Sequence, residues 1–163
     1  MSIWVYICGH LLSLFALWGF IYGGIASIAL PLVVFGFIPL FELITPPKTD
    51  NFDDEELKSR KENRSFHLLA LSVVPLQYTM LGVYLWCVAQ GQWSTLEWLG
   101  STLSMGILCG SYGINVAHEL GHRADKISRL GAKALLLTSL YMHFFIEHNR
   151  GHHAKVATEE DPA

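Results

Sequence analysis

Two short clusters hold five histidines: His118 and His122 in HELGH, and His148, His152 and His153 in EHNRGHH. Each cluster contains a pair four residues apart, the spacing that puts two imidazoles on one face of a helix, one turn apart. Such a pair can ligate one ion, and His153 adds a donor about 100° further round. Three histidines in six residues are not a packing motif, because neutral rings need hydrogen-bond partners and charged rings resist burial. HELGH also fits the HExxH pattern of zinc hydrolases, with Glu119 in the place of the general base. An all-imidazole donor set suits zinc, copper, iron or nickel. Five histidines exceed the three protein ligands of a catalytic zinc, yet are too few to fill the coordination of two irons. His143, Glu119 and Glu147 flank these ligand candidates and are expected in supporting roles, the carboxylates orienting ring N–H groups. His10 and His67 lie far away in sequence and read as structural.

Long apolar runs must position these groups. The chain of 163 residues is 52% hydrophobic and only 15% charged, whereas a soluble domain carries roughly a quarter charged residues. Residues 3–22, 26–44, 67–89 and 96–116 are each close to the ~20 residues a helix needs to cross the hydrocarbon core. Backbone groups in lipid must be satisfied internally, which selects helices. The expectation is an all-α integral membrane bundle, a single membrane domain with four transmembrane helices. The first run lacks the basic flank and small-residue cleavage site of a secretory signal, so it reads as a retained span. Trp18, Phe20, Phe35 and Phe37 read as lipid-facing or packing aromatics, and Pro31, Pro39 and Pro75 as kinks that neighbouring helices accommodate.

The eleven Lys and Arg fall only in segment 45–66 and after His122, while the turns at 23–24 and 90–95 have none. With four spans both basic regions share one side, which the positive-inside rule makes cytoplasmic. The protein is then expected in the inner (cytoplasmic) membrane, multi-pass, with the histidines on the cytoplasmic side. Segment 45–66 reads as a solvated cytoplasmic linker with a short amphipathic helix capped by Asp50 or Asn51. Stretch 131–146 is apolar but shorter than a comfortable span. Were it to cross, the two histidine clusters would sit on opposite faces, so it is expected to be a re-entrant or interfacial helix. The histidine-box region occupies 115–163. Cys8, Cys87 and Cys109 lie in apolar runs without a CxxC pair and read as packing residues. The net charge of −3 says little by itself, and no basic block suggests nucleic acid.

NVAHELGHR (115–123) and HFFIEHNRGHHAKVATEEDPA (143–163) closely resemble the first two histidine boxes of bacterial alkane 1-monooxygenases. The likeness extends more loosely upstream through IPLFEL and the acidic linker, as the N-terminal part of a family protein. The second box is the specific one. The resemblance implies a six-helix, integral-membrane, non-haem di-iron enzyme that hydroxylates the terminal carbon of n-alkanes with O2. Its electrons come from rubredoxin, supplied by rubredoxin reductase. His118, His122, His148, His152 and His153 carry over as iron ligands for the two iron ions. The family's third box and a further histidine ligand are expected in a missing C-terminal part. Val34 matches the second-span position that limits alkane length in the family. Arg123, where the family often has Lys, leaves open an alkyl-aromatic methyl monooxygenase. A membrane fatty-acyl desaturase or hydroxylase with similar boxes competes with these. So does an intramembrane HExxH zinc protease, which gives EHNRGHH no role.

Overall fold

The computed structural model describes residues 3–46, 64–156, 158 and 159. Regular structure among them is entirely helical. Helix α1 spans Ile3–Tyr22, and the apolar column α2, Gly24–Ile44, follows after a tight reversal at Gly23. Helix α3 runs Arg64–Gln90. Helix α4 is continuous from Thr95–Ile107 through Leu108–Gly113 to Ile114–Gly121. Helix α5 spans Lys126–Thr138, and α6 runs from Phe144–Ile146 through Glu147–His152 to His153–Lys155. The expected linker helix falls on residues 47–63, outside the described residues.

Two of these helices, α2 and α3, are long and apolar enough to cross a membrane. Column α4 is of similar length but carries Ser101, Ser104 and Ser111, and α1 contributes a shorter apolar stretch, Gly9–Tyr22. The exterior of the bundle is strongly apolar: Leu14, Ile21, Phe35, Leu43, Trp86 and Leu96 are all more than half exposed. Water does not tolerate so much contiguous apolar surface, whereas lipid solvates it. Phe20 alone of the four singled-out aromatics turns inward, onto Tyr84 and Trp93.

Two apolar cores share the length of the bundle. The first gathers Ala16, Phe20, Leu30, Met80, Cys87 and Leu108 from α1 to α4. Small residues let the backbones approach there: a Cβ on Gly100 would meet Ile28 Cγ2 at 2.8 Å and Ser27 Oγ at 2.9 Å. Tight contacts of this kind replace the hydrophobic driving force that lipid removes. Ser94 and Glu97 form a reciprocal capping box at the start of α4, and Glu97 also accepts from the Gly24 backbone N–H. That carboxylate therefore ties the α1–α2 reversal to α4.

The second core, Val73, Ala117, Leu120, Ala132, Leu135 and Leu136, packs α5 between α3 and the end of α4. Gly131 makes the fit, since a Cβ there would already lie 3.3 Å from Val74 and 3.4 Å from Leu120. Apolar stretch 131–146 is not one helix. Asp125 caps α5 by accepting from the Ser128 N–H at 2.8 Å, so the helix starts at Lys126. It ends in a Schellman turn, with Tyr141 N–H bonded to Leu136 C=O and Leu140 N–H to Leu137 C=O. Leu140 occupies the left-handed position (φ 56°) that glycine usually takes. The turn reverses the chain and sends α6 back toward α4.

Polar groups pin the bundle where apolar packing alone is non-directional. Tyr112 donates to His10 Nδ1 at 3.1 Å, and His10 Nε2 lies 3.0 Å from Ser72 Oγ, which donates to Leu69 C=O. One neutral tautomer, with the hydrogen on Nε2, satisfies the whole chain of bonds across α1, α3 and α4. Buried Ser128 likewise bridges His67 (2.7 Å) and Asp125 (2.7 Å), joining the start of α3 to the cap of α5. The Ser128 N–H and hydroxyl hold the Asp125 carboxyl below the usual carboxylate range. A carboxyl whose pKa is lowered by folding stabilises the fold above its unfolded value and loses that contribution as pH falls through the folded one. In metal-free protein, thermal stability should therefore drop on acidification below about pH 4 more steeply in wild type than in Asp125→Asn. Parallel melting curves from pH 6 to 3 would show otherwise if the two proteins tracked each other.

Candidate metal centre

HELGH closes α4. His118 and His122 project from its last turn, held by the buried neighbours Ala117, Leu120 and Gly121. The α5 reversal then delivers His148 from the opposite side. His118 Nε2 stands 2.7 Å from His148 Nε2 and 3.0 Å from His122 Nε2. The ligand atoms of the three rings all lie within 4.8 Å of one another. The rings meet edge to face, with centroids 4.4 to 5.2 Å apart.

This arrangement fits a cation better than it fits hydrogen bonds. An imidazole nitrogen carries either one hydrogen or one lone pair, so His118 Nε2 cannot serve two facing nitrogens well. Nitrogens each ~2.1 Å from a common ion stand roughly 3.0 to 3.4 Å apart at right-angled to tetrahedral geometry, a small opening from the 2.7 and 3.0 Å seen here. Three neutral rings with Nε2 lone pairs turned inward would satisfy the geometry together.

His148 and His152 belong to the Glu147–His152 segment, a π-helix whose hydrogen bonds reach one residue further than an α-helix. The wider turn brings these two rings into stacking at 5.5 Å and 24°. His152 thus lies beside the cluster, outside the group of three converging donors. His153 begins the last helical turn, and its side chain is outside the described residues. His143 and Glu147 approach each other at 3.9 Å, both more than half exposed. Glu119 is exposed on the outer side of α4, without a hydrogen bond or ion pair among the described residues. Val34 is half-buried within a second π-helical segment, Val33–Phe37, and packs on the first core. Cys87 and Cys109 are free thiols; Cys109 accepts from Gln77 Nε2 at 3.2 Å and links α4 to α3.

Aromatic support for the cluster was not anticipated from the sequence. Phe144 stacks on His148 at 4.9 Å and 13°, lies 6.2 Å from His118, and is backed by Tyr141 at 5.3 Å. The signal lay in the string YMHFF, whose Phe144 stands four residues before His148, a spacing that invites a stacked ring at i and i+4.

The fold and the cluster define an all-helical protein with apolar, membrane-length helices and a trihistidine site at a helix end. No protein-family model matches the chain. It is 36% identical over 146 residues to the alkane 1-monooxygenase of Pseudomonas putida, covering 90% of this chain and 35% of that protein. Identity to the alkane 1-monooxygenase of Ectopseudomonas oleovorans is 38% over the same length and coverage. Alkane 1-monooxygenase 1 of Alcanivorax borkumensis is 36% identical over 129 residues, 79% of this chain and 32% of the relative. The chain is thus a relative of the bacterial alkane 1-monooxygenases and spans about a third of their length.

Removing one of three converging donors should cost more metal affinity than the roughly 10–100-fold typical for groups behind a ligand. Titration of the purified chain with Co(II), read by its visible absorption, should show that loss in His118→Ala but not in His10→Ala. Equal affinities would mean that the convergence is incidental.

Proposed function

We propose that this chain carries part of the histidine-ligated di-iron centre of a membrane alkane 1-monooxygenase. The observation that carries the reading is the meeting of His118, His122 and His148 Nε2 atoms in a chain related to those enzymes. In this reading α1 to α4 are four spans, and the basic residues after His122 support a cytoplasmic side for the histidines. Helices α5 and α6 return along that face without crossing.

His118, His122 and His148 hold metal through Nε2, and His152 and His153 add the remaining donors of the two clusters. Glu119, His143 and Glu147 act behind them on local charge, Glu119 without an orienting hydrogen bond among the described residues. Iron bound there supplies the oxidising power, drawn from O2 and two electrons, that an unactivated C–H bond requires. In the net reaction one oxygen atom enters the terminal C–H bond of the alkane and the other leaves as water. Two electrons from rubredoxin and two protons balance it. Protein side chains provide placement. Phe144 and Tyr141 wall one side of the imidazoles against water. An alkane dissolved in the bilayer reaches the bundle laterally, past an exterior already made of apolar side chains. Val34, small and half-buried on α2, leaves room there for a longer chain.

The test is a chimera in which this chain replaces the corresponding stretch of a curated relative, supplied with rubredoxin and its reductase. It should form 1-alcohols from n-alkanes and copurify with iron. His152→Ala should abolish both, whereas Cys109→Ser should retain them. Val34→Trp should shift turnover from hexadecane toward octane. Zinc in place of iron would turn the assignment toward an HExxH hydrolase, and oxidation of acyl lipid instead of alkane toward a desaturase or hydroxylase.

A further inference from the structure

The exposed surface of α5 falls into two neighbouring stripes. Lys126, Arg129 and Lys133 follow at helical steps of three and four, and Ile127, Leu130 and Leu137, at steps of three and seven, run beside them. The third face, with Ser128, Gly131, Ala132, Leu135 and Leu136, is buried against α3 and α4. Ile127 and Leu130 are about 70% exposed, and Leu137 is half exposed. Water gives these side chains no reason to lie open in a row.

Arg129 and Lys133 also approach one aromatic ring. The Arg129 guanidinium carbon lies 5.9 Å from the centroid of Phe145, and the Lys133 ammonium nitrogen lies 5.0 Å from it. No carboxylate pairs with Lys126, Arg129 or Lys133 among the described residues. An aromatic face attracts each cation, but gathering two like charges over one ring is unfavourable until an anion lies between or above them.

We propose that α5 lies in the bilayer–water boundary and that Arg129 and Lys133, over Phe145, bind the phosphate of an anionic phospholipid. Its acyl chains run along Ile127, Leu130 and Leu137, and Lys126 adds a further positive charge. The inference rests on the reading of α1 to α4 as membrane spans. A helix with an apolar stripe beside a cationic one is the pattern of a segment embedded at the headgroup level. An acidic soluble protein would use the cations but leave three large apolar side chains without a partner, whereas a phospholipid uses both. Phe145 adjoins Phe144, which stacks on His148, so an occupied lipid site braces the segment that completes the histidine cluster.

The chain would be reconstituted in nanodiscs of phosphatidylcholine with a minor fraction of phosphatidylglycerol, and the retained lipids counted by native mass spectrometry. Wild type should hold phosphatidylglycerol above its bulk fraction. Arg129→Gln with Lys133→Gln should cut that preference by about fivefold per charge removed. The charge-conserving pair Arg129→Lys with Lys133→Arg should keep it, which separates charge recognition from a folding defect. Equal retention in wild type and the Gln pair, with both resisting alkaline carbonate extraction from membranes, overturns the lipid site and leaves the span reading standing. Release of wild type by carbonate overturns both. Unchanged lipid retention with lost binding of an acidic soluble protein would reassign the stripe to protein docking.

Discussion

His118 Nε2 faces two other ring nitrogens at hydrogen-bonding distance, and it has one hydrogen or one lone pair with which to answer them. A shared cation would relieve this conflict by accepting all three lone pairs at once. Much of the surrounding structure maintains that convergence. Two rings come from one helix end, where the four-residue spacing makes them neighbours without help. The third must return from thirty residues later, and the chain between is shaped accordingly.

That return depends on small and polar groups more than on bulk. Gly131 lets α5 nest against Val74 and Leu120, Asp125 and Ser128 fix where the helix begins, and a Schellman turn fixes where it stops. Leu140 sits in a backbone region that costs a residue with a Cβ on the order of 1 kcal/mol, and its side chain is 84% exposed. The π-helical segment through Glu147–His152 then turns His148 and His152 to the same side.

The same economy runs through the bundle. Helices in lipid gain little from apolar contact with each other; here Gly100, the Ser104 hydroxyl on Ser27 C=O and the Glu97 clamp draw backbones together, and His10, Tyr112 and Ser72 lock three helices through one tautomer. In the proposed function, an alkane and the apolar bundle would share a solvent, with the histidine cluster at a helix end.

Helix positions were legible in the sequence because apolar length is a local property: run 3–22 coincides with α1, and 67–89 lies within α3. The histidine pairs were legible for the same reason, since spacing of four is decided within one turn. The return of the second cluster was expected only because a crossing helix would have parted the histidines. The division of stretch 131–146 was missed, as its cap lies upstream at Asp125 and its stop uses Leu140 where glycine would have signalled a turn. Which imidazoles meet, with His118 at the centre and His152 beside the cluster, was settled by tertiary packing. So were the stacking of Phe144 and the gathering of Arg129 and Lys133 over Phe145. Residue type and local periodicity determine what chemistry a chain can carry and on which helix face it lies. Distances between groups far apart in sequence depend on how closely helices pack and where turns reverse them, and only the folded chain decides those.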